Sequence, residues 1–217
     1  MYNISMKTLN FEKLHKARKA FLKANANKNF EVIDGNIPVL ISAPHGVTQV
    51  RNGKHKVAEI GSLAVALQLQ KETKSLMIAK TKNCFDDANW DELSPYKQKV
   101  LELVRRNNIR YVIDFHGLAT KREMDVNLGT HLGHNIETNT GIFDDLIWQL
   151  RKNKFVVTID NPFAGGSKTI AGNTKNTFED IWTLQIEINA RLTNSAKNFE
   201  KLETLLSSLT EWIKGLK

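Results

Sequence analysis

An α/β fold, with one sheet sandwiched between helices, is predicted by three features of the sequence. Short apolar runs alternate along the chain with longer stretches of helical spacing. Two of those runs, Ile37–Ser42 leading into His45-Gly46 and Tyr111–Phe115 leading into His116-Gly117, end in a histidine and a glycine. A third run, Trp182–Ile188, alternates strictly between apolar and polar residues. Open α/β sheets hold their ligands at the carboxyl ends of strands. Two strands ending in His-Gly therefore suggest two imidazoles at one sheet edge. At 217 residues the chain is expected to form one domain, 1–217, with a core that needs no staples.

In chain order, Leu9–Ala24 has helical spacing through Leu14, Ala17, Phe21 and Leu22. Two strands, Phe30–Ile33 and Ile37–Ser42, flank Asp34-Gly35-Asn36, and Asp-Gly between apolar runs signals a hairpin. Val47–Lys56 reads as a polar loop with a turn at Asn52-Gly53. Val57–Gln70 follows as a helix carrying Glu59 in its first turn, where the helix dipole favours an anion. Ser75–Thr81 is a strand and Asn83–Glu92 a polar loop. Ser94-Pro95 opens a helix to Asn107, with proline in the first turn. Arg110–Phe115 is the central strand and Met124–Gly129 another. Thr138–Asn153 is an amphipathic helix, Phe155–Ile159 a strand, Asn161–Ser167 a loop, and Lys197–Gly215 the closing helix.

Composition narrows the class. Apolar content of 41% and charge of 25% are ordinary for a globular protein. One cysteine, Cys84, excludes an intrachain disulfide and a multi-cysteine zinc site. Met1–Lys7 lacks the apolar segment of an export signal, and no apolar run approaches the length of a membrane span. A cytoplasmic setting and no membrane partner are expected. The net charge of +8 invites a nucleic-acid reading. Its lysines are spread through helical stretches, however, without an arginine-rich run, which describes a solvated surface. A small-molecule substrate is expected, and no nucleic acid.

Imidazole is a common zinc ligand, and a catalytic zinc commonly takes three protein ligands and keeps one position open. His45, Glu59 and His116 would form such a set, with Asp114 either a carboxylate behind it or a cap on the turn after the strand. Asp87 and Asp114 are the alternatives to Glu59. Glu187 is the one carboxylate on its face of the alternating run, beside uncharged Thr183 and Gln185. Alternation alone would turn that face to solvent. Near a metal, the same carboxylate could serve as a general base. His131 and His134 are a second possible metal pair, with a flexible polar loop as the simpler account. No Walker spacing and no Gly-x-Ser-x-Gly elbow occurs.

Five segments in this order, Ser42–Gly46, Asp114–Gly117, Arg122–Thr130, Asn161–Gly166 and Leu184–Asn189, resemble the N-formylglutamate amidohydrolase family, which is akin to zinc carboxypeptidase-like hydrolases. The resemblance implies a phosphorylase/hydrolase-like fold with a mixed sheet, one zinc, and hydrolysis of an amide in an N-acyl amino acid or small acidic peptide. It assigns His45 and His116 as ligands and Glu187 as the proton-transferring glutamate. Asp87-Ala88-Asn89 resembles a substrate-binding Asp-x-Asn-Arg segment, but Trp90 stands where arginine would be. Arg122 is then expected to bind substrate, and Arg122 or a nearby amide to stabilise the oxyanion. The rival expectations are a zinc carboxypeptidase or peptide deacylase on the same fold, and a non-catalytic basic module for polyanions.

Overall fold

A computed structural model describes residues 9–216. The Met1–Lys7 stretch read above lies outside them. The chain runs α1 (Phe11–Ala24), β1 (Phe30–Ile33), β2 (Ile37–Ala43), β3 (Gln49–Arg51), β4 (Lys54–Lys56), α2 (Ile60–Thr73), β5 (Ser75–Lys80) and α3 (Pro95–Arg106). It continues through β6 (Tyr111–Leu118), β7 (Val126–Gly129), α4 (Thr140–Lys152), β8 (Val157–Ile159), α5 (Ile170–Thr177), β9 (Trp182–Asn189), α6 (Ala190–Thr193) and α7 (Phe199–Gly215). Seven strands form a mixed sheet in the order β1-β5-β2-β6-β9-β7-β8, and β3-β4 form a separate ribbon. The centre, β5-β2-β6-β9, is parallel, while β1 and β7 run antiparallel to their inner neighbours.

Alternate residues of each strand face opposite helical layers. Val39, Ile41, Ile113, Phe115, Leu184 and Ile186 pack with α2, α4 and α7. Leu40, Val112, Leu76 and Ile78 pack with α3 and α5. The closing helix contributes Leu202, Leu205, Leu206, Leu209, Trp212 and Ile213 to the first layer. At roughly 1.5–3 kcal/mol per buried side chain, those contacts are the main hold of the helix on the sheet. Helix α2 is apolar or small on nearly every side because it is enclosed by α1, α7 and the sheet. Among the described residues, no helix is long and apolar enough to cross a membrane.

Two local expectations are corrected, and one helix is added. The Asp34-Gly35-Asn36 turn does not join a hairpin, because β5 lies between β1 and β2. The turn crosses the start of β5 instead. The Asn36 N–H donates to the Lys74 carbonyl at 2.8 Å, and a Cβ on Gly35 would overlap the backbone of Ser75 and Leu76. A close backbone crossing and a tight hairpin both select glycine, so the dipeptide alone did not separate them. The stretch 47–56 is not simply a loop. Asn52 and Gly53 take positive φ, 51° and 71°, and close the β3-β4 ribbon as a two-residue turn. The chain between Lys168 and Ile181 also holds α5, whose polar sequence carries little helical period and which starts on a Thr169 cap.

Candidate metal centre

The parallel centre of the sheet determines where the site sits. β2 and β6 are neighbours, and so are β6 and β9, so their carboxyl ends share one edge. His45 lies two residues past β2. His116 lies inside β6, which runs three residues further than expected, and it pairs in register with Glu187 of β9. Both glycines following these histidines admit α2. A Cβ on Gly46 would come 2.7 Å from the Leu63 side chain, and one on Gly117 would come 3.2 Å from the Glu59 Cβ. The His-Gly signature thus reflects close packing of one helix start against two strand ends. Glu59 is the residue immediately before α2 rather than in its first turn. Its N–H donates to the His45 carbonyl at 2.8 Å, and its Oε2 accepts from the Gly117 N–H at 2.9 Å.

Three ligand atoms converge. His45 Nδ1 is 2.9 Å from Glu59 Oε1, His116 Nδ1 is 3.2 Å from Glu59 Oε2, and the two Nδ1 atoms are 3.1 Å apart. His45, Glu59 and His116 each offer a ligand atom within 4.8 Å of the others. The far side of each ring is held by a carboxylate. His45 Nε2 donates to Asp87 Oδ1 at 2.8 Å, and His116 Nε2 donates to Asp114 Oδ2 at 2.9 Å. Carboxylate partners at Nε2 aim both Nδ1 atoms inward at Glu59, where a cation in place of the proton would meet both lone pairs. Asp114 is held in turn by the Ser42 hydroxyl at 2.7 Å, and Asp87 by Arg51 Nε at 2.7 Å. Both aspartates are fully buried.

Two inward lone pairs and a carboxylate, in a site where His45 is 3% and His116 1% exposed, make a concentration of negative potential that calls for a cation. The titration behaviour agrees. Burial opposes charge on both histidines, yet Glu59 with Asp87 raises His45, and Asp114 with Glu59 raises His116 well above the ordinary value. Burial likewise opposes ionisation of Glu59, and the two histidines overcome it and hold its carboxyl far below the usual range. A pocket that takes up protons this strongly fits a divalent cation in their place.

Glu187 stands beside this group. Its face of β9 is buried, not solvated, since β7 covers the strand's other edge and α5 packs on it. Burial pushes its carboxyl up to about 7. The Gln185 amide donates to Glu187 Oε1 at 3.0 Å, and the Asn89 amide donates to Gln185 Oε1 at 3.4 Å. Asn89 Nδ2 is also 3.1 Å from His116 Nε2, and its Oδ1 accepts from the Ile170 N–H at 2.8 Å. His45, Glu59, Asn89, His116, Gln185 and Glu187 line a cavity of about 800 Å³. Asp87 lies behind His45 instead of facing a ligand.

Arg122 does not belong to this assembly. Its side chain is exposed and outside the cavity, and its carbonyl accepts from Asn189 and Arg191. The arginine that lines the cavity is Arg51, on the β3-β4 ribbon. Sequence reading missed it because nothing in a short polar loop marks which residue will face inward. The Asn52-Gly53 turn signalled the ribbon, and the ribbon's alternation would have offered Gln49 and Arg51 as one face.

No protein-family model matches the chain, and no curated protein does. Solved structures do. An N-formylglutamate amidohydrolase from Ralstonia eutropha JMP134 matches with a TM-score of 0.61 at 14% identity, over 87% of this chain and 98% of its own. A bacteriophage poly-gamma-glutamate hydrolase matches with a TM-score of 0.55 at 13% identity, over 85% and 86%. A metallo-carboxypeptidase from Burkholderia cenocepacia matches with a TM-score of 0.55 at 11% identity, over 93% and 69%. This chain therefore shares its fold with an N-formylglutamate amidohydrolase, a poly-gamma-glutamate hydrolase and a metallo-carboxypeptidase.

Proposed function

We propose that the chain is a zinc-dependent amidohydrolase acting on a small N-acyl amino acid or acidic peptide. One observation carries this reading: two histidines, each locked at Nε2 by a buried aspartate, turn both Nδ1 atoms and the Glu59 carboxylate toward one point beside Glu187. The fold shared with amide- and peptide-bond hydrolases supports it.

His45, Glu59 and His116 would hold the zinc. Bound there, zinc supplies a Lewis acid that polarises an amide carbonyl and brings the pKa of water toward about 7. Asp87 and Asp114 keep the imidazoles in the tautomer that binds a cation, and Arg51 and Ser42 keep those aspartates oriented. Glu187, with a carboxyl near neutrality, takes a proton from the attacking water and delivers it to the leaving amine nitrogen. Water and amide are consumed, and a carboxylic acid and an amine are released. The Gln185 hydrogen bond holds one Glu187 oxygen and leaves the other for the proton.

Purified protein supplied with zinc, and screened on N-acyl amino acids and γ-glutamyl peptides, tests the proposal. Zinc-dependent release of free amine, abolished by chelation and restored by zinc, is expected. A protein that binds no zinc and hydrolyses none of these would refute it.

A further inference from the structure

We infer that the outer face of α4 is the interface of a symmetric dimer, in which a second copy of this chain packs its own α4 antiparallel on the first. The inference stands apart from the hydrolase reading. Helix α4 lies on β8, the edge strand of the sheet, and beside α7. Phe143, Leu146 and Leu150 point into the core, and the opposite face carries Asp144, Asp145, Trp148, Arg151 and Lys152, all exposed. At 3.6 residues per turn these five fall on one stripe, within about 60° of Trp148. Trp148 is 61% exposed. Trp90, Trp182 and Trp212 each donate the indole N–H to an oxygen of the chain, and among the described residues Trp148 finds no such acceptor. A large apolar plate with an unspent donor is the kind of side chain that interfaces favour.

The charges around Trp148 select the partner. Two acids stand four and three residues before it, and two bases stand three and four residues after it. Among the described residues none of the four makes an ion pair. The helix dipole alone accounts for acids first and bases last. It does not account for their equal spacing about an exposed tryptophan. A two-fold axis through Trp148, perpendicular to the helix, sets Asp144 of one copy opposite Lys152 of the other, and Asp145 opposite Arg151. Each pair joins an acid to a base, symmetry repeats both, and the two indoles meet on the axis. A parallel pairing would set acid on acid and base on base. Lys152 Nζ lies 4.5 Å from the Trp148 ring of its own chain, so base and indole form one continuous surface. A second copy matches this spacing by construction. One helix pair buries less than the roughly 1,000 Å² that marks a stable assembly, so association is expected at high micromolar concentration.

Sedimentation equilibrium of the whole chain, at roughly 10 μM to 1 mM, should show a mass that rises from one chain toward two. Asp144→Lys with Asp145→Lys makes the stripe wholly basic, and Arg151→Asp with Lys152→Asp makes it wholly acidic. Both double variants keep the buried Phe143, Leu146 and Leu150, and each alone should stay monomeric over the same range. Mixed in equal amounts they should associate again, because every facing pair then joins opposite charges. Trp148→Ala changes no charge and should weaken the parent dimer by about tenfold. A parent that is monomeric throughout, a double variant that dimerises alone as the parent does, a mixture that does not associate, or a Trp148→Ala dimer as tight as the parent would each overturn the interface.

Discussion

The chain contains two histidine pairs, and they differ in almost everything except residue type. His45 and His116 come from neighbouring parallel strands and place their rings 4.7 Å apart, with a buried aspartate behind each ring and Glu59 in front of both. His131 and His134 come from one turn, in which His131 and Leu132 take positive φ, and their rings are 5.7 Å apart. Among the described residues the buried Nδ1 of His131 has no hydrogen-bond partner, and His134 Nδ1 lies 3.4 Å from the exposed Glu137. Among the described residues, only the first pair forms a three-ligand group. The contrast shows what makes a donor set: partners behind the ligands that fix tautomer and aim, on elements that cannot shift. Proximity of two imidazoles is not enough.

The largest effect that would sharpen this contrast is on turnover. His45→Ala and His116→Ala should each fall to the background rate with zinc supplied, whereas His131→Ala and His134→Ala should stay within about twofold of the parent. Steady-state hydrolysis of whichever N-acyl substrate the screen yields provides the check. A strong loss in His131→Ala with zinc retained would make the second pair functional.

Glu187→Gln should retain zinc and fold and lose about 10²–10⁴-fold in kcat, the range for a general base. The base works deprotonated, so activity of the parent should rise with pH through an ionisation at or below about 7, the value to which burial pushes this carboxyl. A bound dication draws that ionisation lower. A pH profile that falls across this range, or near-normal turnover in Glu187→Gln, would transfer the proton to another group.

The aspartates behind the rings come next. Asp87→Asn and Asp114→Asn should weaken zinc by about 10–100-fold while the protein stays folded. Competition with a chromogenic chelator measures this. The smallest effect is on stability. In metal-free protein the raised histidines favour the fold below their unfolded pKa of about 6.5, and that contribution fades as pH rises through the folded values. Zinc must displace those protons, so its stabilisation should be greater at pH 8 than at pH 6. Melting curves with and without zinc at the two pH values show whether it is.

Much of this contrast was legible in the sequence, and its limits are physical. An apolar run ending in His-Gly carries both the strand and the close approach of α2, so the two histidines that converge on Glu59 could be found without the fold. Glu59 could be found because it directly precedes a helix. The alternation of Trp182–Ile188 showed which residues share a face, but not that both faces are covered, because burial of the polar face depends on α5 and β7. Arg122 was chosen by position in a segment, and its side chain turned out to be exposed. Arg51 was overlooked because its role depends on a ribbon folding back over the cavity. The Asp34-Gly35 signal misled because a backbone crossing and a hairpin ask the same of glycine.

The central claim is that His45, Glu59 and His116 hold one zinc ion. Its most direct test is elemental analysis of the parent, His45→Ala, Glu59→Ala, His116→Ala and His131→Ala proteins after equilibration with zinc and removal of the unbound metal. One zinc per chain is expected in the parent and in His131→Ala, with little or none in the other three. Zinc retained at full stoichiometry in His45→Ala and His116→Ala, or lost in His131→Ala alone, would contradict the account.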